Sequence, residues 1–524
     1  MHMSNKLYSD LVIKNANIWT MDDTSPRAKH LAIYSNTICK VTNDLNEVEQ
    51  LIGPETKIID AENRTVIPGF IDSHTHIAWT GLNKIYLDLG NTKSLEEALS
   101  LIKEQIHMKE EGEWIIGRNW DQSNWVEQKY ITAADLDPIS TKNPVLLRHV
   151  SGHLVTVNSL GFERLGLSKD LQGVDLDKKG NVIGTLRDIE LSDFKEIRPK
   201  FEDFVKGLEF GMEECIRLGI TSVHDNITFE LLPAYHYLFL NNKMKIRVYG
   251  IIYEDMVEEA IKLNLNKTVG SLWFKIGAVK LMTDGAISSR TAYLFDEYAD
   301  KEGEYGFALY DEEKLDYMIK KVHESGYQVA AHAIGDKAVA QLIEAFARNI
   351  NPEECKRRLH RIEHAEIVRY QDLEKAKELN IVFSMQPNFV YRWGRVGING
   401  MYEKRLGKER TMLNNPFGWV KENNLILTFG SDGMPLGPLY GILGALYHPN
   451  ENQQLTLEEA IKSYTLIPAL VSKDEDVKGS VAEGKLADIV ILSHNLDEIS
   501  KEEFEKVMVV KTIIDGKIVF ELED

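Results

Sequence analysis

Cysteine is scarce in this chain: Cys39, Cys215 and Cys355 are the only three in 524 residues, far apart and never in a CxxC. Such spacing excludes a disulfide framework and a zinc–thiolate site, and it suits a reducing cytoplasm as the expected place of work. Long apolar runs are missing too. No stretch approaches the roughly 18 residues that a membrane-crossing helix needs. The opening MHMSNKLYSD lacks the apolar core of a signal peptide. Positive charge is in deficit, with 61 Lys and Arg against 81 Asp and Glu, a formal net charge of −20. A surface of that sign repels nucleic acid and anionic membranes, so neither is expected as a partner. Internal repeats and low-complexity linkers are absent as well. What remains is a globular composition, 43% hydrophobic and 27% charged, in a chain long enough for one large domain with additions.

Both ends of the chain read as β structure. DLVIKNANIWTMD, LAIYSNTICKV and TKIIDAENRTVI carry alternating or β-branched runs broken by Asn, Asp and Pro. Near the other end stand LADIVILS and VVKTIIDGKIVFE, in which Asp515-Gly516 is a strong hairpin signal. The economical reading is one small composite β-sandwich, residues 1–66 with 467–524, interrupted by a larger domain at 67–466. In that domain strands alternate with helices. Candidate strands are 66–76, 220–226, 245–252, 273–282, 327–334, 360–366, 381–387 and 426–432, eight in all. Helical stretches such as EEKLDYMIKKVHESG, with Gly326 as its C-cap, lie between most of them. Eight alternations point to an α/β fold with a closed parallel (β/α)₈ barrel, and an open doubly wound sheet is the alternative. The gap from 77 to 219 is too long for one connection. Most of it, about 90–200, reads as an inserted subdomain covering the barrel mouth.

The chemistry-bearing residues cluster at strand ends. His74 and His76 close TVIPGFIDSHTH; alternate residues on a strand share a face, so both imidazoles point the same way, as a zinc site needs. His332 closes YQVAAHA, His364 closes HRIEH, and Asp432 closes ILTFGSD. Each stands near the C-terminal end of a strand, where barrel active sites lie. Any one of them alone would read as a core histidine or a surface carboxylate. Together, on four strand ends, they read as a metal site. Lys280, in FKIGAVKLMTDG, is a lysine deep in an apolar strand. It must be paired, with Asp284 for example, or lose its charge. A neutral amine there can take up carbon dioxide and become a carbamate ligand. Lys275 has the opposite strand parity and lies nearer the N-terminal end.

The set HTH (74–76), KLMTDGAISSRTA (280–292), HAIGD (332–336), RIEHAE (361–366) and SDG (431–433) resembles the amidohydrolase superfamily, and most closely its type-3 branch, which includes N-substituted formamide deformylases. VIPGFIDSHTH, GKLADIVILS, GRNWDQSNW and the run around SGHLVTVNS extend the similarity over nearly the whole chain. The resemblance implies a TIM barrel with a composite β-sandwich. It also implies a divalent metal, zinc by preference and one or two per chain, on His74, His76, His332, His364 and Asp432, with Lys280 as a carbamate. The chain departs from the branch where SDG is followed by MPLGP, beside the aspartate, and this bears on substrate choice.

The activity so implied is hydrolysis of an amide, N-acyl or N-formyl bond by metal-activated water, with Asp432 as general acid and base. Opening of a cyclic amide or deamination of a heterocycle is the alternative within enzymes. A catalytically silent scaffold is the alternative outside them, although a silent chain should have lost ligands. Four residues are candidates for binding a small-molecule substrate: His153 in the insert, Trp120 (with Trp125) as an apolar wall, and Arg290 and Gln386 as hydrogen-bond donors beyond strand ends. For His153 and the tryptophans a structural role is the competing reading. A homo-oligomer is compatible with everything above.

Overall fold

The computed structural model describes residues 8–149, 154–171, 173–187, 197–268, 270–397 and 400–523. The chain forms two compact units, one made of Met1–Ile77 with Met212–Asp524 and the other of Ala78–Gly211.

The first unit holds an eight-stranded parallel barrel: β1 (Phe70–Thr75), β2 (Ile220–Ile227), β3 (Arg247–Tyr253), β4 (Phe274–Met282), β5 (Gln328–Ala333), β6 (Arg361–His364), β7 (Val382–Met385) and β8 (Ile426–Phe429). Neighbours in sequence are neighbours in the sheet, and every pairing is parallel. Closure comes from β8 against β1. The Asp432 N–H donates to the His74 carbonyl at 2.7 Å, and the Ser431 N–H and hydroxyl donate to Asp72 at 3.0 and 2.5 Å. The strands meet so closely that a Cβ on Gly430 would stand 2.3 Å from the His74 nitrogen. Only a residue without a side chain allows that approach.

Helices between the strands form as the sequence periodicity requires. Glu312–Glu324 starts at Asp311, whose carboxylate accepts from the Lys314 N–H, and it buries Leu315, Met318, Ile319 and Val322. That is the i, i+3, i+4, i+7 stripe of a helix lying on a sheet. It stops at Gly326 (φ +88°), where the Tyr327 N–H returns to the Val322 carbonyl at 3.2 Å. The helix Leu466–Val471 still packs against β8 and β1, so the barrel layer runs slightly past residue 466.

The two ends of the chain build two sheets around one apolar core that includes Ile13, Ile18, Leu31, Ile33, Val66, Ile489, Ile491 and Ile513. The join is made by Thr65–Pro68, which pairs in parallel with Asn17–Trp19 on one side and antiparallel with Ile489–Leu492 on the other. Asp515 and Gly516, at φ +54° and +75°, make the tight turn between Val509–Ile514 and Lys517–Glu521. A buried ion pair ties this layer to the barrel base: Arg247 at the start of β3 donates to Asp488 at 2.7 and 3.0 Å.

The second unit, Ala78–Gly211, begins and ends further out than the 90–200 read from the sequence. It carries a six-stranded sheet in the order Val174–Leu176, Val182–Arg187, Leu154–Val157, Val145–His149, Ile115–Trp120, Leu87–Asp88. The amphipathic helix Leu95–His107, capped by Ser94, buries Ala98 and Ile102. Among the described residues no helix is long and apolar enough to cross a membrane.

Candidate metal centre

Alternation along parallel strands sends one side chain in two into the barrel, and at the C-terminal ends those side chains meet. β1 delivers His74 and the residues after it His76; β4 delivers Lys280, β5 His332, β6 His364, and the turn after β8 Asp432. The ligand-capable atoms of His74, His364 and Asp432 lie within 4.8 Å of one another. His76 Nε2 is 3.1 Å and His74 Nε2 3.7 Å from Asp432 Oδ1. Lys280 Nζ is 3.3 Å from His74 Nε2. The His332 and His364 ring centroids are 4.5 Å apart. The structure thus brings together all six residues picked out as ligand candidates. Strand parity alone would turn His364 away, since Glu363 faces inward. A left-handed backbone at His364 (φ +74°) and Ala365 (φ +47°) swings the imidazole back, and Asp432 (φ +53°) is bent in the same way. Strain of this kind is held where a site needs a particular aim.

The donor chemistry fits a divalent cation. Burial holds His74 at about 4 and His332 at about 3, with the Lys280 amine adding to both effects, and it holds His364 well below the ordinary histidine value. All three are neutral near pH 7 and present lone pairs. Each ring is also backed by a hydrogen-bond acceptor. His364 Nδ1 is 2.7 Å from Gln386 Oε1, which leaves Nε2 facing the centre. His74 Nδ1 bonds the Glu363 carboxylate, which likewise frees Nε2. His332 Nε2 is 3.0 Å from the Gly285 carbonyl; a carbonyl only accepts, so this nitrogen carries the proton and Nδ1 is the free donor. Backing of this sort is what orients metal-binding imidazoles. Burial pushes Asp432 upward, but the hydrogen bond from His76 and the neighbouring imidazoles hold it below the usual carboxylate range. Burial also lowers Lys280 to about 8.

Other sequence expectations move. Lys280 is not paired with Asp284, whose carboxylate is taken by the N–H groups of Tyr293, Ile334 and Gly335 at 2.9, 3.0 and 2.8 Å. Lys275 is paired at the other end of its strand, 2.5 Å from Asp474. Trp120 offers nothing to a substrate. It is 0% exposed in the core of the Ala78–Gly211 unit, stacked with Trp125 at 5.9 Å, with its indole N–H on the Leu147 carbonyl. Gln386 is fully buried and serves His364 rather than a substrate. Arg290 follows β4 as expected, but its guanidinium is engaged by Asp300 at 3.0 and 2.8 Å. His153 lies outside the described residues.

The sequence reading passed over the residues behind the ligands. Asp72, pushed by burial to about 7, accepts from the His74 and Ser431 N–H groups. Arg361 and Glu363 stand inside the barrel, both 0% exposed. Their signal was legible: two opposite charges at i and i+2 of one strand share a face, and if that face is the inner one they need each other.

Comparison with known proteins places this geometry. The sequence model of the amidohydrolase family matches residues 57–520. The chain belongs to the amidohydrolase family. As an amidohydrolase it is a hydrolase built to work with divalent metal, on the barrel that the resemblance implied. It is 28% identical to a putative amidohydrolase, YtcJ, of Bacillus subtilis over 96% of this chain and 98% of that protein. It is 24% identical to the N-substituted formamide deformylase of Arthrobacter pascens over 98% of each. Among solved structures, a metal-dependent hydrolase from Pyrococcus furiosus superposes on this amidohydrolase with a TM-score of 0.78, at 27% identity, covering 92% of this chain and 98% of the other.

Proposed function

We propose that this amidohydrolase cleaves a non-peptide C–N bond, the substrate being an N-formyl or other N-acyl amine. The observation that carries the reading is the meeting of His74, His364 and Asp432 within 4.8 Å at the strand ends, with Lys280 beside them. Resemblance to the Arthrobacter pascens deformylase over the full length of both chains supports the substrate class. His74, His364 and Asp432 would hold a metal, with His76 and His332 beside them as further ligands and Lys280, as a carbamate, able to add an anionic oxygen. Zinc suits this imidazole and carboxylate donor set. Such a cation supplies a Lewis acid that polarises a carbonyl and lowers the pKa of water.

The rest is the work of the chain. Asp432, kept ionised, accepts a proton from the attacking water at Oδ and returns it to the nitrogen as the C–N bond breaks, so the products are an acid and an amine. Lys280, 3% exposed and in no ion pair among the described residues, forms its N–C bond with carbon dioxide and releases a proton. Gln386 and Glu363 hold the imidazoles on aim. A screen of N-substituted formamides, N-acyl amines, cyclic amides and aminated heterocycles, read as amine, acid or ammonia release by zinc-loaded protein, tests the proposal. Amine release from formamides that is lost in His74→Ala supports it. Turnover confined to ring opening or ammonia release refutes the substrate class.

A further inference from the structure

The imidazoles of the centre are backed by unequal chemistry. His364 leans on a neutral amide, Gln386, at 2.7 Å, and His332 on a backbone carbonyl at 3.0 Å. His74 Nδ1 leans directly on a carboxylate, that of Glu363, while the carboxylate nearest His332, on Asp284, stands 3.5 Å from its Nε2. That carboxylate is kept charged by Arg361, whose Nε donates to Oε1 and whose Nη2 donates to Oε2 at 3.0 Å. Arg361 is fixed in turn from three other strands. Nη2 donates to the Ser73 carbonyl at 2.5 Å and to Ser384 Oγ at 2.8 Å, and Nη1 lies 2.9 Å from His224 Nδ1. Nothing in the packing of a barrel calls for this. A buried ion pair stabilises a fold no better than apolar residues of the same volume, because desolvation offsets the attraction. The pair makes sense through what it touches on its outer side, which is His74 Nδ1.

We infer that Arg361 and Glu363 are positioning residues for His74: they hold its proton on Nδ1 and enrich Nε2, so that the metal position His74 joins fills first and binds more tightly than a position without it. The inference rests on the reading that these residues hold metal. Its physical basis is that an anionic acceptor polarises the N–H of an imidazole more than an amide does, and so makes the opposite nitrogen a stronger donor.

The test is titration of the metal-free full-length protein with zinc against a chromophoric chelator, below the melting temperature of every variant. Wild type should take up zinc in two unequal steps. Glu363→Gln should weaken the first step about 10- to 100-fold, the usual effect of losing such a partner, and leave the second within about threefold. Glu363→Asp, which keeps the charge, should recover part of the loss. Because Glu363→Gln strands Arg361, the double variant Arg361→Met with Glu363→Gln removes both charges while keeping bulk, and the first step should weaken as in the single variant. First-step affinity at the wild-type level in either folded variant, or equal weakening of both steps, overturns the inference. If wild type takes only one zinc, that affinity must fall with Glu363→Gln and recover in part with Glu363→Asp; unchanged affinity in Glu363→Gln overturns it. His74→Ala separates the two levels. Zinc bound there as tightly as in wild type refutes the metal centre itself, whatever the Glu363 variants do.

Discussion

Replacing Gly430 with alanine asks whether barrel closure sets the aim of His74. The added Cβ would lie 2.3 Å from the His74 nitrogen, 2.8 Å from its Cβ and 2.9 Å from its Cα, where ordinary contact begins at 3.4 Å. About 1 Å of separation must be found, and none of the obstructing atoms is the far end of a flexible side chain. β8 and β1 must therefore move apart, and His74 moves with them. Overpacking of this kind costs about 1–3 kcal/mol, and a misplacement of about 1 Å at a reacting centre costs about 100-fold in rate. Gly270→Ala is the control, since its Cβ would meet nothing within 4 Å. The assay is urea unfolding, zinc affinity and turnover on the same three preparations. We expect Gly430→Ala to lose about 1–3 kcal/mol and about 100-fold in turnover, with Gly270→Ala within error of wild type. Zinc affinity and turnover within twofold of wild type in Gly430→Ala would show that the closure does not aim His74.

Three further outcomes are expected. Asp432→Asn keeps shape but cannot carry the proton, so turnover of a formamide should drop by about 10²- to 10⁴-fold in a folded protein; unchanged turnover removes Asp432 from the reaction. Lys280→Ala should lose zinc or activity, with partial rescue by a short carboxylic acid, and zinc loading of wild type should improve with bicarbonate; indifference to both argues against the carbamate. For the metal-free protein, His332 is held at about 3 in the fold against 6.5 when free. The unfolded chain therefore takes up a proton below pH 6.5 that the folded chain refuses, and stability present above that pH is lost as the pH falls toward 3. Between pH 7.5 and 5 wild type should lose about 2 kcal/mol more than His332→Asn; parallel loss in the two proteins refutes a neutral buried His332.

The barrel was legible because its signals are local and repeated. Strand-like runs, most followed by a helical stripe, mark the barrel strands to within about three residues, although the run 66–76 joins Thr65–Pro68 of the terminal sheet to β1 at Phe70–Thr75, and the ligand candidates stand near their ends. The network behind those candidates was harder to read, for a physical reason. Which acceptor backs which imidazole depends on contacts between strands more than a hundred residues apart, such as Glu363 with His74 or Ser431 with Asp72, and no periodicity reports them. His364 shows the limit sharply: parity gives its side chain the wrong face, and only the left-handed turn of its backbone restores it. Trp120 stood between a pocket wall and a structural role, and stacking on Trp125 with a carbonyl partner for its N–H settles it in a core.

The pairing of Thr65–Pro68 with Ile489–Leu492 has a consequence for synthesis. On the ribosome the early strand emerges more than four hundred residues before its partner. Throughout elongation the nascent chain therefore carries an unmatched β edge next to hydrophobic side chains such as Val66, a template for wrong pairing. The barrel can begin to assemble strand by strand, but the sheet at its base is completed only when the last hairpin leaves the exit tunnel. Loss of that hairpin, through a premature stop or a protease, would leave Ile489–Leu492 as the new edge of the sheet.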